Sequence, residues 1–357
     1  MITISLCMIV KNEQAVLERV LKSTKCIFDE IIIVDTGSTD DTVKIARRFT
    51  KKIFHFDWVD DFSKARNYAF SFATSDYIMW LDADDVILEE DRKKILQLKN
   101  KLSTAYDIIT MKYNVGFDEK GNTTFYSTRE RLFKREKNYK WVDPVHEYIP
   151  MIGNILQVTD IAITHRSNKA VHSDRNLKIY EKILKREGEL SPRSQYYYAR
   201  ELKDHGKWQD SIKWFKKFLD EGKGWIEDNI VSCYSLAICY KMLNECQKEF
   251  EALQRSFTYD APRAEICCLI GYYYKHRSDY RTASAWFETA LNLPKTDSIG
   301  FVLKDYHTYI PALELAVCYD KLQQFEKARL FNEIAGKEKP ESKEYLQNKN
   351  YFATKAL

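Results

Sequence analysis

The first half of the chain alternates continuous apolar runs with amphipathic stretches. Residues 2–10 are apolar and rich in β-branched side chains, the pattern of a strand buried on both faces. Residues 13–23 then set Val16, Leu17, Val20 and Leu21 on one helical stripe. The alternation continues with predicted strands at 30–34, 52–56 and 77–81 and predicted helices at 42–49 and 63–73. Three strand–helix units in succession predict a mostly parallel sheet with right-handed crossovers. Ligands of such sheets bind beyond the carboxyl ends of the strands. The polar clusters 11–13, 35–41 and 82–85 all fall at those ends.

Residues 103–165 read as further strands and loops, and 166–192 as a polar, basic junction that becomes helical. From about Ser194 the pattern is purely helical and repeats. Ala199, Ala237, Gly271 and Ala316 occupy one position, at spacings of 38, 34 and 45 residues. Three residues later stand Leu202, Tyr240, Tyr274 and Tyr319, and nine residues after the small position Trp208, Cys246, Tyr280 and Phe325. This resembles the tetratricopeptide helix pair of about 34 residues, in which small residues let two helices pack closely. The longer last spacing implies an insertion near 294–306. The tyrosine clusters 196–198 and 272–274 fit helix-pair core at this spacing better than an aromatic binding surface. The predicted organisation is an α/β domain over 1–168, a helical linker over 169–193 and an all-α repeat domain over 194–357.

Composition narrows this picture only modestly. A net charge of +4 on 357 residues is too small for a nucleic-acid binder. None of the eight cysteines forms a Cys-x-x-Cys pair, and most sit among apolar neighbours, so reduced buried thiols are expected. The opening residues run straight into a strand pattern without a signal peptide, and no window reaches the roughly 18 apolar residues of a spanning helix. A cytoplasmic protein without a transmembrane segment is expected.

The sharpest chemical feature is Asp82-Ala83-Asp84 at the end of an apolar strand. Side chains two apart on an extended segment point the same way, so both carboxylates would face one ligand. Such a pair suits a hard divalent cation, although a solvated acidic turn has the same composition. Asp85 adds a charge that calls for compensation. The motifs Met8-Ile-Val-Lys-Asn-Glu13, Val34-Asp-Thr-Gly-Ser-Thr-Asp40, Asp61-Phe-Ser-Lys-Ala-Arg-Asn67 and Trp80-Leu-Asp-Ala-Asp84 follow in order. Over residues 1–165 this series resembles the family 2 glycosyltransferases, which adopt the Rossmann-like GT-A fold. The resemblance implies a nucleotide-sugar donor, a UDP-sugar such as UDP-glucose, with Mg²⁺ or Mn²⁺ and inversion at the anomeric carbon.

The same resemblance assigns roles. Val10 would border the base and ribose, and Asp35 would serve the base; many relatives have two acidic residues where this chain has Asp35-Thr36. Arg66 would approach the base or diphosphate, with a surface charge on a helix as the alternative, and Asn67 would cap or pack. Asp82 would face the ribose or the metal, and Asp84 would bind the metal directly. His165 would be a third metal or phosphate ligand, or a plain strand-end histidine. Glu147 would be the general base, with His146 and then Asp143 as the other candidates. The alternative for Glu147 is a structural partner of an arginine such as Arg131.

The order of domains resembles that of bacterial transferases that glycosylate peptides or proteins, including the S-glycosyltransferases of sublancin-type glycocins. It implies a peptide or protein acceptor at Cys or Ser, with a homodimer through the helical domain. Two further readings are the same chemistry on a cell-envelope saccharide, and a non-catalytic scaffold built on the repeats.

Overall fold

A computed structural model of the protein describes residues 1–118, 121–167, 173–294 and 302–354. They divide into two compact units, Met1–Glu189 and Leu190–Ser298 with Val302–Leu357. In the first unit the strands are β1 (Ile4–Val10), β2 (Glu30–Asp35), β3 (Ile53–His55), β4 (Tyr77–Trp80), β5 (Asp85–Val86), β6 (Ile108–Phe117), β7 (Thr123–Lys134) and β8 (Ile155–His165). The helices are α1 (Leu17–Ser23), α2 (Thr42–Ala46), α3 (Phe62–Phe70), α4 (Glu89–Lys101) and α5 (Arg175–Glu187). The strands lie in the order β3-β2-β1-β4-β7-β6-β8-β5. Strands β1 to β4 pair in parallel, as the alternation predicts, and β7 then joins β4 antiparallel.

Both faces of the sheet are covered, which explains the continuous apolar runs. Leu6, Met8 and Val10 pack with Leu17 and Val20 on one face, while Cys7 packs with Ala69, Ile78 and Trp80 on the other. All three predicted helices are shorter in the structure, the third ending at Phe70 and not at Ala73. The first starts at Leu17 because Glu13–Val16 form a turn, with the N–H groups of Val16 and Leu17 both donating to the Glu13 carbonyl at 3.0 and 2.9 Å. The second ends at Ala46, where Arg48 N–H donates to Ile45 O in a tighter turn. Helix α5 lies within the stretch read as a linker and is part of the first unit.

The second unit consists of helix pairs: α6 (Pro192–Asp204) with α7 (Trp208–Glu221), α8 (Ile226–Met242) with α9 (Cys246–Arg255), α10 (Ala264–His276) with α11 (Tyr280–Asn292), and α12 (Tyr309–Lys321) with α13 (Phe325–Glu338). Helix α14 (Lys343–Thr354) follows. Trp208, Cys246, Tyr280 and Phe325, one aligned position of the repeat, each open the second helix of a pair. The small residues of the other aligned position are buried in the first helices. Ser211, standing where the repeat favours alanine, is fully buried and its hydroxyl donates to Ala199 O at 2.8 Å. Tyr196, Tyr198 and Tyr273 are buried core, as expected from the spacing. The insertion expected near 294–306 falls largely outside the described residues. All eight cysteines are free thiols; Cys26 and Cys246 are exposed and the other six buried. No helix among the described residues is long and apolar enough to cross a membrane.

The close packing of a helix pair yields a stability prediction. A Cβ on Gly271 would lie 2.8 Å from the ring of Phe287, itself fully buried. Alanine would gain up to about 1 kcal/mol of helix propensity. Overpacking a buried ring typically costs about 1–3 kcal/mol. The steric effect should win, so Gly271→Ala is expected to lower the unfolding free energy by about 1–2 kcal/mol, read in a urea titration. An unchanged or raised midpoint would mean that the pair opens easily to admit a methyl group.

Candidate active site

The loops at the carboxyl ends of β1 and β2 are tied into one rim. Val10 ends β1 with its side chain buried, and its carbonyl accepts from Thr36 N–H at 2.9 Å. Asp35 ends β2, and its carboxylate accepts from Gly37 N–H at 3.2 Å and Ser38 N–H at 3.1 Å. Gly37 has φ +99°, a conformation open to glycine at little cost, which lets the chain fold back over the Asp35 carboxylate. Asn12 completes the rim by accepting from Thr39 N–H at 2.8 Å. Asp35 therefore shapes its own turn in addition to any contact with a nucleotide.

The Asp61–Asn67 motif is helix α3, and its parts divide the work. Asp61 caps the helix by accepting from Lys64 N–H at 3.0 Å. Asn67 holds Trp141 by a reciprocal pair of 2.9 Å hydrogen bonds, the packing role expected of it. Arg66 points inward, with its guanidinium 4.9 Å from the rings of both Trp80 and Trp141. Its Nε donates to Glu147 Oε1 at 2.6 Å and its Nη2 to Asp82 Oδ1 at 2.7 Å. The side chain is only 8% exposed, so Arg66 is a buried bridge between two carboxylates and not a surface charge. Glu147 thus has Arg66, not Arg131, as its partner. Burial opposes the charge of Asp82, but Arg66 overrides it and holds the carboxyl below the usual aspartate range.

Glu147 sits on a loop closed by the bridge between Val142 and Tyr148. Phe62 N–H donates to Pro144 O at 2.8 Å, which fastens this loop to the start of α3. Asp143 and His146 both have positive φ, +68° and +54°. Such backbone strain in non-glycine residues clusters at functional sites, and here it belongs to the two alternative base candidates.

The acidic motif is not extended as its spacing implies. Strand β4 ends at Trp80, and 82–85 form a turn in which Asp85 N–H donates to Asp82 O at 3.1 Å. Asp82 therefore faces Arg66, whereas Asp84 and Asp85 face His165. Antiparallel pairing of β5 with β8 sets Asp85 directly opposite His165. Asp84, Asp85 and His165 offer ligand atoms within 4.8 Å of one another. This cluster has Asp85 where the sequence reading has Asp82. His165 Nδ1 is 3.5 Å from Asp84 Oδ1 and 3.6 Å from Asp85 Oδ1.

The charge that Asp85 brings is compensated beneath the turn. Asp85 is fully buried; Arg131 Nη1, also fully buried, lies 3.3 Å from its Oδ2, and Tyr113 OH donates to its Oδ1 at 2.9 Å. Asp85 raises the proton affinity of His165 above the usual histidine range, burial opposes this, and Asp84 adds to the rise. Burial also raises the pKa of Asp84, against the attraction of His165, and Asp82 and Asp85 push it further up. This is a concentration of negative charge that a cation would relieve. The carboxylate donors fit Mg²⁺ or Mn²⁺, and the imidazole nitrogen favours the transition metal of the two.

Residues 5–155 match the family model described as "Glycosyl transferase family 2". The matched stretch lies within the first unit, and helix pairs of the tetratricopeptide kind follow it. Among known proteins, a TPR repeat-containing protein of Synechococcus elongatus is 39% identical over 150 residues, 42% of this chain and 36% of that protein. The SPbeta prophage-derived glycosyltransferase SunS of Bacillus subtilis is 30% identical over 233 residues, 62% of this chain and 54% of that protein. An uncharacterized glycosyltransferase of Rickettsia typhi is 37% identical over 92 residues, 26% of this chain and 31% of that protein. The chain thus spans between about a third and about half of the length of these curated relatives.

Proposed function

We propose that the protein is an inverting, metal-dependent glycosyltransferase that moves a sugar from a UDP-sugar to a Cys or Ser side chain of a peptide or protein. The observation that carries this reading is the convergence of Asp84 and His165 with the Arg66-bridged pair Asp82 and Glu147, in a domain of this family. Asp84 and His165 would hold Mg²⁺ or Mn²⁺, which when bound neutralises charge developing on the departing diphosphate. Asp82, 36% exposed, faces the donor's ribose while Arg66 keeps it ionised. Arg66 holds Oε1 of Glu147 and leaves Oε2 to take the acceptor's proton. A thiol acceptor would need this base less than a hydroxyl, because thiols ionise near pH ~8.5. The repeats support the choice of acceptor, since stacked helix pairs build extended surfaces that suit a polypeptide. A homodimer through the repeats belongs to the same proposal.

The test is a thermal-shift screen of the protein with UDP, GDP and their common sugar conjugates, with and without Mn²⁺. A ligand at a hundred times its Kd adds about 2.7 kcal/mol of stability. One UDP-sugar should stabilise the protein only when Mn²⁺ is present, and should then be consumed with Cys- or Ser-containing peptides. No shift with any nucleotide would overturn the reading.

A further inference from the structure

The buried base of the acidic turn has a connection to His165 that the proposed chemistry does not use. Asp85 Oδ2 accepts from Asp82 N–H at 3.0 Å and lies 3.3 Å from Arg131 Nη1. Its Oδ1 accepts from Tyr113 OH at 2.9 Å. Asp85 thus has both oxygens engaged and no exposed surface, unlike Asp84, whose side chain is 21% exposed. The Tyr113 oxygen also lies 3.0 Å from His165 Nδ1. A hydroxyl has one hydrogen. That hydrogen is committed to Asp85 Oδ1, to which the hydroxyl donates. The Tyr113 oxygen must then accept from His165, which places the imidazole hydrogen on Nδ1 and leaves the lone pair on Nε2. The tyrosine cannot swing freely, because the Arg131 guanidinium lies between the rings of Trp80 and Tyr113, at 4.0 and 4.5 Å.

We infer that Tyr113 is a positioning residue for His165. Anchored on the buried Asp85–Arg131 pair, it fixes the tautomer and ring orientation in which the histidine binds a divalent cation. Asp85 is then the support of a ligand and not itself a ligand, which reduces the protein's share of the cation's shell to Asp84 and His165. Partners that orient a metal-binding histidine typically change affinity by about 10–100-fold when removed. The inference rests on the metal-dependent reading above.

The test is the affinity of the full, nucleotide-free chain for Mn²⁺, measured by calorimetry for the wild type, Tyr113→Phe, His165→Ala and the double variant. Each single change should weaken Mn²⁺ binding about tenfold or more, and the double variant should bind no more weakly than His165→Ala. Unchanged binding in Tyr113→Phe, or losses that add in the double variant, would overturn the inference while leaving the metal site intact. A wild type that does not bind Mn²⁺ would overturn the metal reading and this inference with it. A second measurement needs no variant at position 113. Imidazole ¹⁵N shifts of the neutral His165 in the wild type, assigned by their disappearance in His165→Ala, should show the hydrogen on Nδ1. The opposite tautomer refutes the hydrogen-bond chain.

Discussion

Asp84→Asn is expected to lower turnover about a thousandfold without weakening the fold. The substitution keeps the size of the side chain and removes its charge. If Asp84 holds the cation that neutralises the departing diphosphate, several kcal/mol of transition-state stabilisation go with it. A loss of about 4 kcal/mol is three powers of ten in rate. Stability should move the other way. Burial, together with Asp82 and Asp85, raises the pKa of Asp84 in the folded state. A carboxyl whose pKa is raised by folding disfavours the native state once it is ionised, and that cost is present at neutral pH and fades as the pH falls. The asparagine variant escapes it. In the absence of metal its unfolding midpoint at pH 7 should equal or exceed that of the wild type, and the wild type should approach the variant on acidification. The two readouts together separate chemistry from folding. Retained turnover would remove Asp84 from the mechanism, and lost turnover with a lower midpoint would make its role structural. A gain in stability at the expense of activity is the usual signature of a functional site.

The chain's local patterns carry the architecture much further than they carry the site. Buried strands flanked by amphipathic helices are visible because both faces of the sheet are covered, and the repeats are visible because close helix packing demands small residues at fixed spacing. The motif at 61–67 is legible only in part: the packing role of Asn67 is read from the chain, whereas the burial of Arg66 against Trp80 and Trp141 is set by tertiary contacts. The acidic motif is where local reasoning fails. Alternation of side chains applies only while the chain is extended, and 82–85 turn. The turn sends Asp82 to Arg66 and hands the cluster to Asp85, whose place opposite His165 is set by pairing with a residue 80 positions further along the chain. The need of Asp85 for a counter-charge is evident in the sequence, but the identity of its partner is not. Arg129, Arg131 and Arg135 are close together along the chain, and only the antiparallel register of β7 selects Arg131. For the same reason nothing local marks Trp80, Tyr113 and Trp141 as partners of these arginines. Their chemistry lies in the cation each ring faces, and that contact is tertiary.

Arg66→Ala should affect both stability and turnover, because one guanidinium holds two carboxylates. Removing one partner of a buried ion pair leaves uncompensated charge and typically costs about 3–5 kcal/mol. The side chain of Glu147 is 12% exposed and meets nearly the full cost, whereas Asp82, at 36% exposed, is partly screened by water. The stacking on Trp80 and Trp141 is lost as well. A net loss of about 3 kcal/mol is expected, which for a unit of this size lowers the midpoint by about 6–12 °C. The pH dependence has a definite sign. Arg66 holds Asp82 below its ordinary range, so the stabilisation is present at neutral pH and is lost as the pH falls through that range. The gap between wild type and variant should therefore narrow in acid. Arg66→Lys should recover only part of the loss, since an ammonium is a point charge and cannot present the two-pronged fork that reaches Asp82 and Glu147 at once. For turnover, Glu147 released from its anchor loses the geometry of a base, and general-base catalysis is worth about a hundredfold or more. The decisive comparison is Arg66→Ala alone against Arg66→Ala with Glu147→Gln. If Arg66 acts by holding Glu147, the second change should restore part of the stability and cost little further activity. If the two changes lower activity independently, Arg66 instead contacts the donor directly.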